Sequence, residues 1–190
     1  MAGSEDAAKA LHDKSVGLKL GDRFPDFEAD TSTAGRIKWH DYIDGSWAIL
    51  FSHPGTRHSL RVTYPIIADP SRDIAVKLGM LDAVAKDAAG LPLTARAVFV
   101  VGPDKTLKLS ILYPATTGRN FHEILRVIDS LQLTAKYSVA TPVDWKHGDD
   151  VIVAPSVSNE AAKEKFPKGF KMVELPSGKS YLRTTPQPDL

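Results

Sequence analysis

The clearest pattern of apolar and polar positions lies between Ala95 and Tyr113, ARAVFVVGPDKTLKLSILY. Ala97 to Val101 holds no polar residue, which predicts a strand covered on both faces. The next four residues, Gly-Pro-Asp-Lys, predict a turn, since Pro103 pre-sets φ at its second position and Asp104 tolerates the third. Beyond the turn, Leu107, Leu109, Ile111 and Tyr113 share one face of a second strand, with Lys108 and Ser110 on the other. A β-hairpin is therefore expected. In TTGRNFHEILRVIDSLQL, which follows, Asn120 can cap a helix, with Glu123 at the reciprocal capping-box position. Phe121, Ile124, Leu125, Ile128 and Leu131 then recur at helical spacing.

Weaker signals flank this centre. Leu20 to Asp30 reads as an edge strand entered through a Pro-bounded turn. Ile37 to Tyr42 fits a strand end or a short helix, and Trp47 to Ser52 a second buried strand. The polar stretch HPGTRHSLRVT has no period and is expected to be a loop. Tyr64 to Ile67 resembles a short strand, and Asp69 caps a helix with Pro70 at its first position and Gly79 at its end. Asp82 to Leu91, rich in Ala and Gly, is expected to be a loop. After Leu133 the composition changes, and a smaller C-terminal domain is expected from Lys136, with Ser158 capping a short helix that Pro167 ends. Strand, turn, strand, helix is half of an α/β, thioredoxin-like fold.

Composition narrows the function classes. A chain of 190 residues can bury a real core and carry a small appendage. Its 24 basic and 23 acidic residues give no argument for nucleic acid, and no basic stripe with interleaved aromatics is present. The longest apolar runs are too short to cross a bilayer. Met1 to Gly17 is polar and lacks the apolar core of a secretory signal, so the reading is a flexible N-terminal extension on a soluble, cytoplasmic protein. The chain contains no cysteine, which removes disulfides, thiolate metal sites and any cysteine nucleophile.

The segments GDRFPDFEAD, WAILFSHP, YPIIAD, LGMLD, PLTARAVFVVGPDKTLKLSILYPATTGRNFHEILRVIDSLQLT, TPVDW and LPSGKSYLR together closely resemble the one-cysteine peroxiredoxins of the peroxiredoxin 6 type. The resemblance covers most of Leu18 to Pro188. It implies a thioredoxin-like domain at 18–135, a C-terminal dimerisation domain at 136–190, and a cytosolic ancestor that reduced hydrogen peroxide and lipid hydroperoxides in antioxidant defence. It also implies association as a homodimer, or as a heterodimer with a full-length peroxiredoxin.

The chain departs from the family at the active site. There, the segment beginning Ser52-His53-Pro54 opens a Pro-x-x-x-Thr-x-x-Cys loop. Counted from Pro54, the Thr position falls on His58 and the Cys position on Arg61. The sequence then joins YPIIAD almost directly, so a helix-strand-helix segment of the family is missing near 54–64. The connector between Phe51 and Tyr64 spans at most roughly 40 Å when extended. Arg96 matches the family arginine that lowers the thiol pKa, and with His53 and Pro54 it forms a remnant of the peroxidase site. Without a thiolate, Arg96 is expected to find a carboxylate or water. A methionine thioether gives no comparable turnover. The expectation is a chain inactive as a peroxidase that acts by association.

The family also carries a phospholipase-type site, whose positions here are Ser46, His40 and Asp104. A Ser nucleophile, His base and orienting Asp would give an acyl-ester hydrolase acting at a phospholipid surface. The surrounding Asp-Gly-Ser-Trp-Ala lacks the glycines of a nucleophile elbow. Read structurally instead, Ser46 is a turn residue, His40 lies on an amphipathic surface and Asp104 sits in the hairpin turn. The histidines are scattered, and only His53 and His58 are close in sequence, so no metal or other cofactor is implied. The Gly118-Arg119 loop before a helix could hold an anion.

Overall fold

The computed structural model describes residues 17–54 and 62–189. Almost all of the expected N-terminal extension lies outside the described residues, as do His58 and Arg61. The chain forms two compact units, one ending at Arg119 and the other running from Asn120. The helix after the central hairpin thus clusters with the C-terminal segment, whereas the sequence reading placed it in the N-terminal domain.

In the first unit, β1 (Glu28–Thr31) and β2 (Gly35–Lys38) form an antiparallel hairpin whose turn uses Gly35 at φ 66°. A left-handed φ of this kind favours glycine. The strand expected over Leu20 to Asp30 therefore starts only at Glu28. Residues before it run along the later hairpin through backbone bonds, with Phe24 N–H donating to Lys105 O at 2.8 Å and Leu107 N–H to Asp22 O at 2.9 Å. Both readings of Ile37 to Tyr42 hold, because β2 ends at Lys38 and one helical turn, α1 (Trp39–Tyr42), follows at once.

β3 (Ala48–Phe51) is a strand as expected, but a partly exposed one. Tyr64 to Ile67 forms no strand and contributes a single bridge, Ile67 to Thr31. In α2 (Asp73–Lys77), the Asp69 carboxylate accepts from the N–H groups of Ile74 and Ala75 at 3.1 and 2.8 Å. It thus acts as the expected cap from just outside the helix, with Pro70 in the turn before it. Gly79, at φ 66°, takes the chain out of the helix. The expected loop at Asp82 to Leu91 is largely strand: β4 (Leu81–Lys86) pairs with β5 (Pro92–Thr94). Pairing with a neighbouring strand overrides the low β-propensity of the alanines.

β6 (Arg96–Val101) and β7 (Leu107–Tyr113) make the expected hairpin and complete a sheet in the order β3-β6-β7, antiparallel throughout. Its turn closes with Lys105 N–H donating to Gly102 O at 2.9 Å, and Lys105 takes φ 63°. A shift in register sets Val101 opposite Leu107 and Val100 opposite Leu109. Strict alternation put Leu107 and Leu109 on one face. The shift separates them, so Leu107 joins Ala97, Phe99 and Val101 in the core while Leu109 lies with Val98 and Val100. That core is closed by Phe24, Phe27 and Trp39, with Phe27 stacked on Trp39 at 5.5 Å and Phe24 edge-on to Phe99 at 5.7 Å.

The second unit opens with α3 (Phe121–Lys136), capped by the Asn120 side chain, which accepts from His122 and Glu123 N–H at 3.0 and 3.3 Å. The reciprocal capping-box bond is not made. The Glu123 carboxylate instead takes two bonds from Arg126, at 2.6 and 2.8 Å. Ile124 and Leu133 are buried, but Phe121 and Leu125 are each 60% exposed, so the apolar stripe read from the sequence is only partly a core face. A four-stranded sheet in the order β10-β11-β9-β8 follows, built from β8 (Val139–Ala140), β9 (Val151–Val153), β10 (Lys171–Met172) and β11 (Arg183–Thr185). α4 (Asn159–Lys165) is capped by Ser158, as predicted, and packs Ala162 against Trp145, Val151 and Val153. Among the described residues, no helix is long and apolar enough to cross a membrane.

Candidate functional site

The end of β3 and the start of β6 meet where the sequence placed the peroxidase remnant. Ser52 N–H donates to Ala97 O and Ala97 N–H to the Ser52 hydroxyl, both at 3.0 Å. The hydroxyl in turn donates to Ala95 O. Ser52 therefore extends the β3–β6 pairing by one residue, and its oxygen is occupied in that role. His53 follows it on the surface, and Pro54 is half-buried.

Arg96, at the head of β6, is half-buried and donates through Nε to Ala115 O at 2.9 Å. Its partner is thus a backbone carbonyl rather than the expected carboxylate or water. Beside it stands Arg119, whose guanidinium donates to Ser52 O and, at 3.3 Å, to Ala97 O. It also lies over the Phe51 ring, 5.1 Å from the centroid, and Tyr64 meets that ring edge-on at 5.4 Å. Burial, and then the neighbouring charge of Arg96, push the Arg119 pKa down, with Tyr64 acting weakly the other way. The sequence reading treated Arg119 only as part of a loop before a helix. Its reach across β6 to the end of β3 depends on a contact 67 residues away in sequence, which no local pattern encodes.

The second candidate constellation is drawn to one end of the first unit. His40 is buried, at 7% exposure, contrary to the expectation of a surface residue. Its Nε2–H donates to Phe24 O at 2.7 Å, and Phe24 N–H donates to Lys105 O, next to Asp104. Lys105 also pairs at 2.9 Å with Asp44, two residues before Ser46. The loops that carry the three residues are thus neighbours. The three functional groups are not joined: among the described residues, no hydrogen bond links His40, Ser46 and Asp104. Ser46 is exposed in the turn after α1, as the structural reading had it.

Asp104, in the hairpin turn, accepts from Lys108 Nζ at 2.6 Å and from Thr106. The bond from Lys108 holds its carboxyl below the usual carboxylate range. The acid that does face His40 is Asp26, which sequence reasoning passed over. Its carboxylate accepts from His40 N–H at 2.9 Å and lies 3.8 Å from His40 Nδ1. Partial burial opposes ionisation of Asp26, but the His40 backbone bond and the nearby His40 and Lys38 outweigh it, and its pKa is lowered. No group of three or more His, Cys, Asp or Glu suited to a metal ion occurs among the described residues.

Comparison with known proteins gives this geometry a family. A model of the C-terminal domain of 1-Cys peroxiredoxin matches residues 130–169. Peroxiredoxin-6 of Bos taurus is 50% identical over 222 residues, covering 90% of this chain and 99% of the relative. Peroxiredoxin-6 of Homo sapiens is likewise 50% identical over 222 residues, with the same coverage. Because 222 exceeds the 190 residues of the chain, the alignment bridges a stretch of the relative that is missing here.

Among solved structures, a cysteine-to-serine variant of the peroxiredoxin 6 of Arenicola marina superposes with a TM-score of 0.84 at 46% identity, over 92% of this chain and all of that one. The yeast mitochondrial 1-Cys peroxiredoxin follows at 34% identity and a TM-score of 0.73, over 89% of this chain and 99% of that one. With half its residues shared with peroxiredoxin-6 relatives and the same thioredoxin-like architecture, this cysteine-free chain belongs to the one-cysteine peroxiredoxins of the peroxiredoxin 6 type.

Proposed function

We propose that this chain is a peroxiredoxin without peroxidase activity that acts in the cytoplasm by association, pairing with a second copy or with a full-length peroxiredoxin through its C-terminal domain, 136–190. One observation carries the reading: no cysteine occurs in the sequence, and Arg61 stands where the peroxidatic thiol belongs. Peroxide reduction in a thiol peroxidase requires a thiolate that becomes a sulfenic acid and is then reduced. Arg96 and Arg119 remain, held by Ala115, Ser52 and Ala97, with no thiol to activate. The C-terminal unit, in contrast, has a closed core of its own, which supports a retained role for its surface. Homodimers of this kind join identical patches.

Two measurements test the proposal. Purified protein given peroxide and a thiol reductant is expected to consume none, whereas catalytic consumption would overturn the loss of activity. Multi-angle light scattering of the chain, alone and mixed with a full-length peroxiredoxin 6, is expected to show a dimer or a mixed dimer. Monomers in both samples would remove the association.

A second reading, an acyl-ester hydrolase of phospholipids using Ser46, His40 and Asp104, rests on the clustering of their loops through Phe24, Lys105 and Asp44. It requires His40 to leave Phe24 O and Asp104 to leave Lys108. Hydrolysis of a lipid ester that Ser46→Ala abolishes would establish it, and hydrolysis unaffected by Ser46→Ala would exclude it.

A further inference from the structure

β3 lies at the edge of its sheet and is paired on one side only, with β6. In an antiparallel pair, successive residues turn their backbone N–H and C=O groups alternately toward the neighbour and away from it. Ser52 N–H donates to Ala97 O, which sets the phase: Leu50 and Ala48 face β6, and Ile49 and Phe51 face outward. Among the described residues, no hydrogen bond reaches the backbone N–H or C=O of Ile49 or Phe51. The Ile49 side chain is itself 43% exposed.

Edge strands ordinarily carry charge or proline, which keeps other chains from adding to them. Here β1, β2, β4 and β7 carry charged residues, and β5 begins with Pro92. Among the described edge strands of three or more residues, β3, Ala-Ile-Leu-Phe, alone has neither. No like charges therefore oppose each other within the strand when it meets its own copy. Its outward groups are also self-complementary. When two copies run antiparallel with Leu50 opposite Leu50, Ile49 of each lies opposite Phe51 of the other, and both pairs exchange N–H···O bonds.

We propose that the outer edge of β3 is a pairing surface for a second copy of this chain, joining two three-stranded sheets into one across a two-fold axis at Leu50. Main-chain hydrogen bonds from Ile49 and Phe51 of each copy hold the pair, and their side chains meet across it. A strand this short makes a small interface, so the pair forms and dissociates with concentration. The surface is separate from pairing through 136–190, because β3 belongs to the first unit. A chain that uses both surfaces grows beyond a dimer.

Because the chain has no cysteine, Leu50→Cys supplies a single thiol at the two-fold axis. Opposite residues there lie about 4.5 Å apart between Cα atoms, within the range that a disulfide bridges. Mild oxidation of the full-length variant is expected to give a covalent dimer on a non-reducing gel, faster than Val84→Cys, which is 87% exposed on β4 and sets the rate of random collision. Adding Ile49→Pro removes an outward N–H, leaves the bonds to β6 in place and should cut the cross-linking rate by about tenfold or more. Light scattering over a concentration series, with Ile49→Pro in the cysteine-free chain, should show half-association moved up by about the same factor. Should Ile49→Pro fail to unfold cooperatively, Ile49→Lys, which sets like charges at the edge, carries both measurements. Cross-linking of Leu50→Cys no faster than Val84→Cys, or association undiminished in the folded Ile49 variant, would overturn the proposal. A dimer that survives Ile49→Pro while Leu50→Cys stays uncross-linked would assign association to 136–190 alone, so the two pairings fail separately.

Discussion

In the C-terminal unit, Trp145, Leu133, Val151, Val153 and Ala162 are essentially sealed from solvent, and even a guanidinium, Arg183, is enclosed at 4% exposure with acceptors on three residues. In the N-terminal unit, Ala97 to Val101 are buried as deeply, yet Leu112 on the neighbouring strand is 57% exposed, and Ile49, Tyr64 and Ile66 are also open to water. Apolar side chains are open in the second unit as well, Phe121, Leu125, Val143 and Tyr181 among them, so the two units differ less at their margins than in their buried charge: Arg183 is enclosed by acceptors, whereas Arg96 and Arg119 are only half-buried. The alignment with peroxiredoxin-6 relatives bridges a stretch that this chain lacks, and in the first unit Ile49, Tyr64, Ile66 and Leu112 leave apolar surface open. Exposed apolar area of this kind favours aggregation.

The sharpest way to probe the comparison is to open the core of the second unit. Trp145→Ala removes a fully buried ring and its N–H bond to Asp149 O at 3.1 Å, so a loss of about 4 kcal/mol is expected. Urea unfolding followed by circular dichroism measures it; a loss under 1 kcal/mol would mean that the Trp145 ring does not hold the second unit's core together. Arg183→Met keeps the volume but strands the carbonyls of Ala154 and Val157, and a loss of about 3 kcal/mol is expected in the same experiment. A stabilised variant would show that this buried cation is a liability.

Acid provides a gentler probe. Asp26, Asp82 and Asp104 in the first unit, and Glu123 in the second, have pKa values lowered by folding. Backbone N–H groups of Val84 and Ala85 act on Asp82, and the Arg126 side chain acts on Glu123. A carboxylate whose pKa is lower folded than unfolded contributes stability that is complete above its unfolded value and lost as pH falls through the folded one. The Tm should therefore decline as the pH is taken from about 5 to about 2. A Tm that held steady or rose over that interval would contradict the assignment. Smallest in stability is Leu112→Ser at the open margin, expected to change unfolding free energy by no more than about 0.5 kcal/mol. It should nonetheless slow aggregation measured by light scattering, and a large destabilisation would mean that Leu112 is packed after all.

Elements whose order is local were legible in the residues. The Gly-Pro-Asp-Lys turn, the Asn120 and Ser158 caps, the stop at Gly79 and the apolar run from Ala97 to Val101 each depend on side chains acting on backbone a few residues away. The absence of cysteine and the family motifs are likewise written in the sequence and set the limits of the chemistry. Long-range pairing decided the rest. β4 formed from an alanine-rich stretch because β5 supplied a partner, and the register shift at Val100 and Val101 moved Leu107 into the core and Leu109 out of it. His40 was buried against Phe24 and Asp26, and Arg119 was laid beside Arg96 across the end of β3. Periodicity reports which face of an element is apolar. Which charges meet, and whether they find a counter-charge, depends on residues tens of positions apart that only folding brings together.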